Sequence, residues 1–566
     1  MRYSKVIIVA GSILVGAALS AIAWLKLSNF QYNAMDSAIF VNVLENFLAG
    51  RGFFSSTQGG SYFADHFSPI ILLPAAWYYL WRSPIGLLVF QVLMAILPVW
   101  PLYLIARKKL SDKNALLVVF AYLFNPLVWN LAIFEFELLP IAIFFLLMVY
   151  YFHLQKRWWP FLICLVLAML VREDVALWLV GFGVWSWWRD RQDGQRLSRY
   201  SLTSFLAGVT YFLAAILAIR LIGGGYKFTE YYSLQNIWSW SQLELVVGLL
   251  LPLAFLPLLR PRALLPTALI YLQFLCLGGL GAIVVKTHYS SLFIPTLFFA
   301  FIESLRALES PRGAIQKFFA NFYQPIVIVT IVYSFIVLGP VRYLGELERS
   351  APERTAMSYL LEQVPTTASV AASYDFLTPL AARPQVYSLN YVFLGTKQFS
   401  RERYNAHEVD YVLWNSDDLL TYQLQYKQHQ FYEGAYSSGA LRIEDYLSKF
   451  DLVFQVDNFY LFRNKKIVAE LPEYLSPAGY RVRSFAPLAR GESLVSFYDT
   501  EGRPLGSASR PMNLQLGVSN YQVPVMTTKI KIQPVTVAGF ITLNGVGSSV
   551  NIIRATKAGE AAEISF

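Results

Sequence analysis

Long apolar runs, separated by short clusters of Lys and Arg, limit what this chain can fold into more than any other feature. Residues 6–25 form one uninterrupted run of 20 residues, and others cover about 84–106, 114–133, 200–222, 263–284 and 324–341. A run of roughly 20 apolar residues matches the hydrocarbon thickness of a bilayer when helical. No other single-segment structure satisfies its own backbone there. Composition agrees: 56% of the 566 residues are hydrophobic and 14% charged, where soluble domains carry about a quarter. Phe, Tyr and Trp supply 16%, which suits interfacial aromatic belts. The pattern predicts a polytopic α-helical membrane protein.

Basic clusters mark cytoplasmic loops. Arg2 and Lys5 place the N-terminus inside, followed by "RKKLSDK" at 107–113, Lys156-Arg157, "RDRQDGQRLSR" at 189–199, "RPR" at 260–262 and the loop between 306 and 317. An even number of crossings between successive clusters gives about 11 helices: 6–26, 84–106, 114–133, 138–153, 158–171, 175–188, 200–222, 242–259, 263–284, 289–305 and 324–341. The stretch 67–81 would break the parity as a span and reads as an interfacial helix. Residues 158–188 are short for two spans, and a re-entrant hairpin keeps the same parity. The start offers an Ala-Ile-Ala site, but its apolar run is long for a signal peptide and reads as an uncleaved anchor. The net charge of +10 is that of cytoplasmic loops, and no nucleic acid is expected as partner. Cys164 and Cys276 lie in apolar runs, which excludes a disulfide framework or a Cys-rich metal site.

This threading gathers the remaining ionisable residues on the outer face: Asp36, Asp65, His66, Glu135, Glu137, Arg172, Glu173, Asp174, Lys286 and His288, with Tyr289. Charges at membrane depth are expensive and point to function. Each has a plainer reading: acids as solvated turns, Arg172 with its acidic neighbours as a local ion pair, the histidines as caps. Convergence is the stronger signal. No G-x-S-x-G, Walker or H-E-x-x-H motif occurs, and "GGG" at 223–225 lacks the Lys-Ser/Thr of a phosphate loop. The first outer loop, about 27–83, contains an amphipathic helix in "DSAIFVNVLENFLAG", for which a plainer role of Asp36 would be a cap.

After residue 345 the helical period weakens. "PERTAMSYLLEQVPTTASVAASYDFLTPLAARPQVYSL" reads helix, turn, strand, helix, strand. The expected divisions are a transmembrane domain at 1–344, an α/β domain at 345–466 and a β-rich module at 467–566, the last two extracytoplasmic.

In their order, "YNAMDSAIFVNVLENFLAGRGFF", "FADHFSPIILLPAAWYYLW", "FEFELLP", "VREDVALW" and "THYSSLFIPTLF" resemble the predicted membrane-protein family called domain of unknown function 2079. That family is similar in turn to the GT-C superfamily of polyprenyl-phosphate-sugar glycosyltransferases, including protein mannosyltransferases. The resemblance covers roughly residues 25–465. It departs where the family has an Asp-Phe-His-Pro-like stretch in place of "FEFELLP" and Lys in place of Arg172. It implies a GT-C-like fold in the plasma (inner) membrane of a bacterium. The expected activity is sugar transfer from a polyprenyl-phosphate donor to an acceptor lipid, glycan or protein. Asp36 matches the acidic residue of the first outer loop and is the expected general base. Arg172, Lys286 and His288 are expected at the phosphate with Tyr289 as donor; Asp65, His66, Glu135, Glu137 and Glu173 would bind substrate. Glu135 and Glu137 could also orient a divalent cation such as Mg or Mn. A transporter or flippase would favour charges within spans and inverted repeats. A non-catalytic scaffold with the same fold is the third reading.

Overall fold

The computed structural model describes residues 2–467, apart from 193, 195–196, 224–239, 277–280, 312–313, 344, 346–348, 350, 398–401, 416–417, 419–437 and 457–458, and beyond them eight strands with Glu501 and Arg503. Parts of the expected basic loops at 189–199 and 306–317, and most of "GGG", lie outside these residues. The chain divides into two units, 1–55 with 59–349, and 56–58 with 350–566.

The first unit is helical. Its elements are α1 (Arg2–Ser28), α2 (Asp36–Leu48), α3 (Leu72–Leu80), α4 (Pro84–Ile96), α5 (Val99–Lys109), α6 (Asp112–Leu123), α7 (Pro126–Ile133), α8 (Leu139–Leu154), α9 (Trp158–Met169), α10 (Val175–Gln192) and α11 (Arg199–Leu221). There follow α12 (Trp240–Leu250), α13 (Ala268–Cys276), α14 (Gly281–Lys286), α15 (Ile294–Glu309) and α16 (Ala314–Leu338). Among the described residues, five stretches are long and apolar enough to cross a membrane: Ser4–Ser28, Pro84–Lys109, Asp112–Ile133, Arg199–Leu221 and Ala320–Leu338. In two of them the α-helix is interrupted beside a proline, at Leu97–Pro98 between α4 and α5 and at Phe124–Asn125, where Pro126 opens α7. Proline removes a backbone donor and clashes with the preceding turn.

The same chemistry corrects the expected spans at 242–259 and 263–284. Neither is a continuous α-helix. Past α12 the chain runs through 3-10 turns at Leu251–Leu253, Leu256–Leu259 and Pro261–Thr267, paced by Pro252, Pro257, Pro261 and Pro266. The stretch at 67–81 forms a 3-10 turn and the nine-residue α3, too short to cross.

α2 also differs from expectation. Its polar face is not solvated: Asn42, Glu45 and Asn46 are buried along with Phe40, Val41 and Leu44. Buried polar groups need partners, and these have them. Asn46 Nδ2 donates to Phe54 O at 2.9 Å, and Arg51 Nε donates to Asn46 Oδ1 at 2.7 Å. Tyr78 of α3 donates its hydroxyl to Glu45 at 2.9 Å, and Arg82 pairs with the same carboxylate. The first loop is thereby tied into a fixed shape.

The second unit carries a five-stranded sheet of order β2-β1-β3-β5-β4, built from β1 (Val370–Ala372), β2 (Val386–Ser388), β3 (Tyr411–Asn415), β4 (Phe450–Val456) and β5 (Phe459–Asn464). β2, β1 and β3 run parallel, with Ala372 opposite both Ser388 and Leu413; β5 pairs antiparallel with β3 and β4. Beyond residue 480 the strands form two four-stranded antiparallel sheets.

Candidate functional site

Four loops of the helical unit meet at one cluster. The first leaves α1 and turns at Phe30 (φ 56°) and Met35 (φ 79°) before α2 begins at Asp36. Left-handed backbone at a non-glycine residue is costly and needs outside support. That support comes from the second loop, "IFEFELLP". The Glu135 carboxylate accepts the N–H of Ala34 on one oxygen and that of Ser37 on the other, both at 3.0 Å. In return Phe136 N donates to Ser37 Oγ at 2.9 Å. The plainer reading of Asp36 as the helix cap is not the arrangement found. Met35 occupies the N-cap position without a side-chain bond, and Glu135 takes over from 98 residues along the chain.

The second loop is pinned by two residues that the sequence did not single out. Lys26, at the end of α1, donates to the carbonyls of Ile133 (3.0 Å) and Phe134 (2.6 Å) and lies 4.2 Å over the Tyr32 ring. Gln91, buried on α4, donates to Leu131 O (2.9 Å) and Glu135 O (2.8 Å), and its Oε1 accepts Glu137 N at 2.6 Å. A lone amide inside "VFQVLMAIL" was the available signal for Gln91. Lys26 looked like an ordinary residue at a membrane boundary.

The third loop, between α9 and α10, holds Arg172, Glu173 and Asp174, all buried. Arg172 grips Asp174 through Nε at 3.0 Å to each oxygen and a further contact from its terminal nitrogen. Its guanidinium also lies 5.5 Å from the Tyr289 ring centroid. Glu173 reaches back to the first loop, accepting Phe67 N at 3.1 Å and bonding His66 Nδ1 at 2.8 Å. Burial opposes a charge on His66, but the charge and hydrogen bond of Glu173 and the charge of Asp65 outweigh it and raise its pKa. A carboxylate-anchored imidazole of this kind is fixed in orientation and tautomer.

The fourth loop is a 3-10 turn, His288–Leu292, between α14 and α15. Here Asp36, Glu137 and His288 converge, with one potential ligand atom from each lying within 4.8 Å of the others. His288 Nε2 is 3.6 Å from Glu137 Oε1. Both its ring nitrogens are buried without a hydrogen-bond partner among the described residues. Burial, with Glu137, Glu135 and Asp65 close by, pushes Asp36 well above the usual carboxylate range, Arg172 opposing. Burial likewise raises Glu137 to about 7 against the pull of Arg172 and His66. Burial lowers His288, and Arg172 and His66 lower it further.

Most of the residues singled out from the sequence therefore meet. Asp36, Glu137 and His288 form the centre, Arg172 and Tyr289 lie one ring away, and Asp65, His66 and Glu173 flank it. Three differ in detail from the expected arrangement. His288 is disfavoured as a cation, because burial and two neighbouring positive groups oppose its charge. Glu135 faces backbone N–H groups with both oxygens. Lys286 is exposed at the end of α14, while Thr287 and His288 beside it are buried.

All these residues fall within two segments, 26–227 and 222–443, that match the family described as predicted membrane protein DUF2079. The matches span well over half of the chain. This protein belongs to the DUF2079 family. No curated protein matches the sequence of this DUF2079 member. Among solved structures it is similar to ArnT from Cupriavidus metallidurans, bound to undecaprenyl phosphate. The identity is 13%, the TM-score 0.47, and the match covers 80% of this chain and 98% of that one. It is also similar to the Archaeoglobus fulgidus oligosaccharyltransferase tethered to an acceptor peptide, at 9% identity and a TM-score of 0.42, covering 97% and 98%.

Proposed function

We propose that this DUF2079 protein is a membrane glycosyltransferase. It takes a sugar from a polyprenyl-phosphate donor and passes it to an acceptor hydroxyl at the extracytoplasmic face of a bacterial inner membrane. The observation that carries this reading is the convergence of Asp36, Glu137 and His288 within 4.8 Å, beside the His66–Glu173 pair. The site lies where apolar helices leave off, as a lipid-linked substrate requires.

The centre fits a divalent cation. Two carboxylates and an imidazole whose nitrogens have no hydrogen-bond partner among the described residues make a mixed O/N donor set, which suits Mn²⁺ better than the oxygen-preferring Mg²⁺. When bound, such a cation would relieve the crowding of the carboxylates and offset charge on the departing phosphate.

The chain's own groups do the rest. Asp36 would offer one carboxylate oxygen to the cation, and its other oxygen takes the proton of the acceptor hydroxyl as the hydroxyl oxygen bonds to the anomeric carbon. The bond from that carbon to the phosphate oxygen breaks, the electron pair stays on the phosphate, and direct displacement inverts the anomeric centre. His66, oriented by Glu173, faces the leaving phosphate as donor. Arg172, locked to Asp174, adds positive potential. The apolar helices provide the surface for the polyprenyl chain.

The test uses purified protein in nanodiscs with a polyprenyl-phosphate sugar, following release of the polyprenyl phosphate. Asp36→Asn should lower release by about 10²-fold or more, the scale of a positioned base, while donor binding by native mass spectrometry persists. Near-full release in the variant would move the base to Asp65. Lipid movement across the bilayer without release would favour the transporter reading. Mn²⁺ should raise the melting temperature of the wild type, EDTA should reverse the gain, and Glu137→Gln should abolish it.

A further inference from the structure

We infer that Glu135 and Ser37 form a clamp that holds Asp36 against Glu137, and that Glu135 is a positioning residue rather than a ligand of cation or substrate. The inference rests on the cation centre proposed above and assigns what sets its geometry.

Asp36 and Glu137 come from loops 101 residues apart in sequence, yet each is flanked by a residue that bonds the other's loop. Glu135 accepts Ala34 N and Ser37 N, on either side of Asp36, each at 3.0 Å. Phe136 N, next to Glu137, donates to Ser37 Oγ at 2.9 Å. Three bonds thus fix the two loops in register directly at the candidate ligands.

The need for them is local. α2 opens on Met35 in left-handed conformation, and Met35 has no side-chain acceptor for the first helical N–H groups. Those donors are orphans in any helix, and here a carboxylate from another element satisfies that of Ser37. Glu135 is 1% exposed. With an N–H on each oxygen and its backbone carbonyl held by Gln91 at 2.8 Å, it is anchored at both ends. Groups that orient ligands in this way typically change metal affinity by about 10–100-fold when altered.

Glu135→Gln replaces one acceptor oxygen by an NH₂ that opposes an N–H. Ser37→Ala removes the return bond. The experiment measures Mn²⁺ affinity by electron paramagnetic resonance, with deuterium exchange of the 34–37 amides alongside, on full-length wild type and both variants. Glu45→Gln serves as control. It alters another buried carboxylate contacting α3 from α2, away from the centre, and so costs stability alone. Both clamp variants should weaken Mn²⁺ binding about tenfold or more and speed exchange at 34–37, while Glu45→Gln leaves Mn²⁺ affinity unchanged. Unchanged affinity in the clamp variants, or equal weakening in Glu45→Gln, would overturn the positioning role. A wild type that binds no Mn²⁺ would sink the cation centre instead. Exchange at 34–37 would then decide the clamp: faster in both variants supports it, wild-type protection refutes it.

Discussion

Gln91 shows how much of the site rests on residues that carry no chemistry of their own. Its one amide donates to buried carbonyls in α7 and the following loop and accepts the partly buried N–H of Glu137. Gln91→Leu keeps the volume and removes every one of these bonds. The stranded groups should cost roughly 2–4 kcal/mol, since each buried polar group left unpaired costs about 1–3. Denaturant unfolding in detergent measures this. The Mn²⁺-dependent gain in melting temperature should shrink as well, because Glu137 loses its backbone anchor. At this scale the sequence was informative about Asp36, Glu137 and His288, since an ionisable residue beside an apolar run is visible by itself. It was silent about Glu135 as a clamp. A carboxylate looks the same whether it faces a substrate or two backbone N–H groups, and only the fold shows which N–H groups are near.

Helix α2 was legible from its period, and its bounds match "DSAIFVNVLENFL". The burial of its polar face was not. Amphipathicity reports which side is apolar. It does not report whether Tyr78 and Arg82 come to cover the other side, as they do at Glu45. The pair α10 and α11 carries a second lesson. A Cβ added at Gly208 would lie 2.7 Å from the carbonyl oxygen of Ala176 and 2.8 Å from Val180. The two helices therefore approach at a spacing that only glycine allows there, the usual role of small residues between membrane helices. Gly208→Ala should lower stability by about 1–3 kcal/mol, the range for overpacking, seen as a lower melting temperature. An unchanged melting temperature would mean that the helices part at no cost. Farther along, 242–259 and 263–284 read as apolar spans by composition, yet four prolines break the chain into 3-10 turns across 251–267. Hydropathy outweighed proline in the sequence reading; in the fold, the missing N–H groups decided.

At the scale of the whole molecule, the parity of the basic loops predicts a cytoplasmic N-terminus and cytoplasmic loops at 107–113, 189–199 and 306–317, with residues beyond 345 outside. Alkaline phosphatase fused after residue 345 should be active in cells, and a cytoplasmic reporter at the same point silent. The reverse pattern would place the cluster at the wrong end for an externally presented donor. The fusion leaves the cluster intact, because the helical unit, ending at Arg349, holds every residue of it.

Sequence alone determined that this is a chain of membrane helices, since apolar length and the cost of an unpaired backbone in lipid leave no alternative. It also determined which ionisable residues deserved notice, because charges beside apolar runs are few. The tertiary structure decided which of them meet. Asp36 and Glu137 are brought together by Lys26, Gln91, Glu135 and Ser37 through bonds that span 46 to 107 residues of sequence. Such bonds depend on where loops land after helices pack. That placement is a property of the whole fold, and no local pattern of residues encodes it.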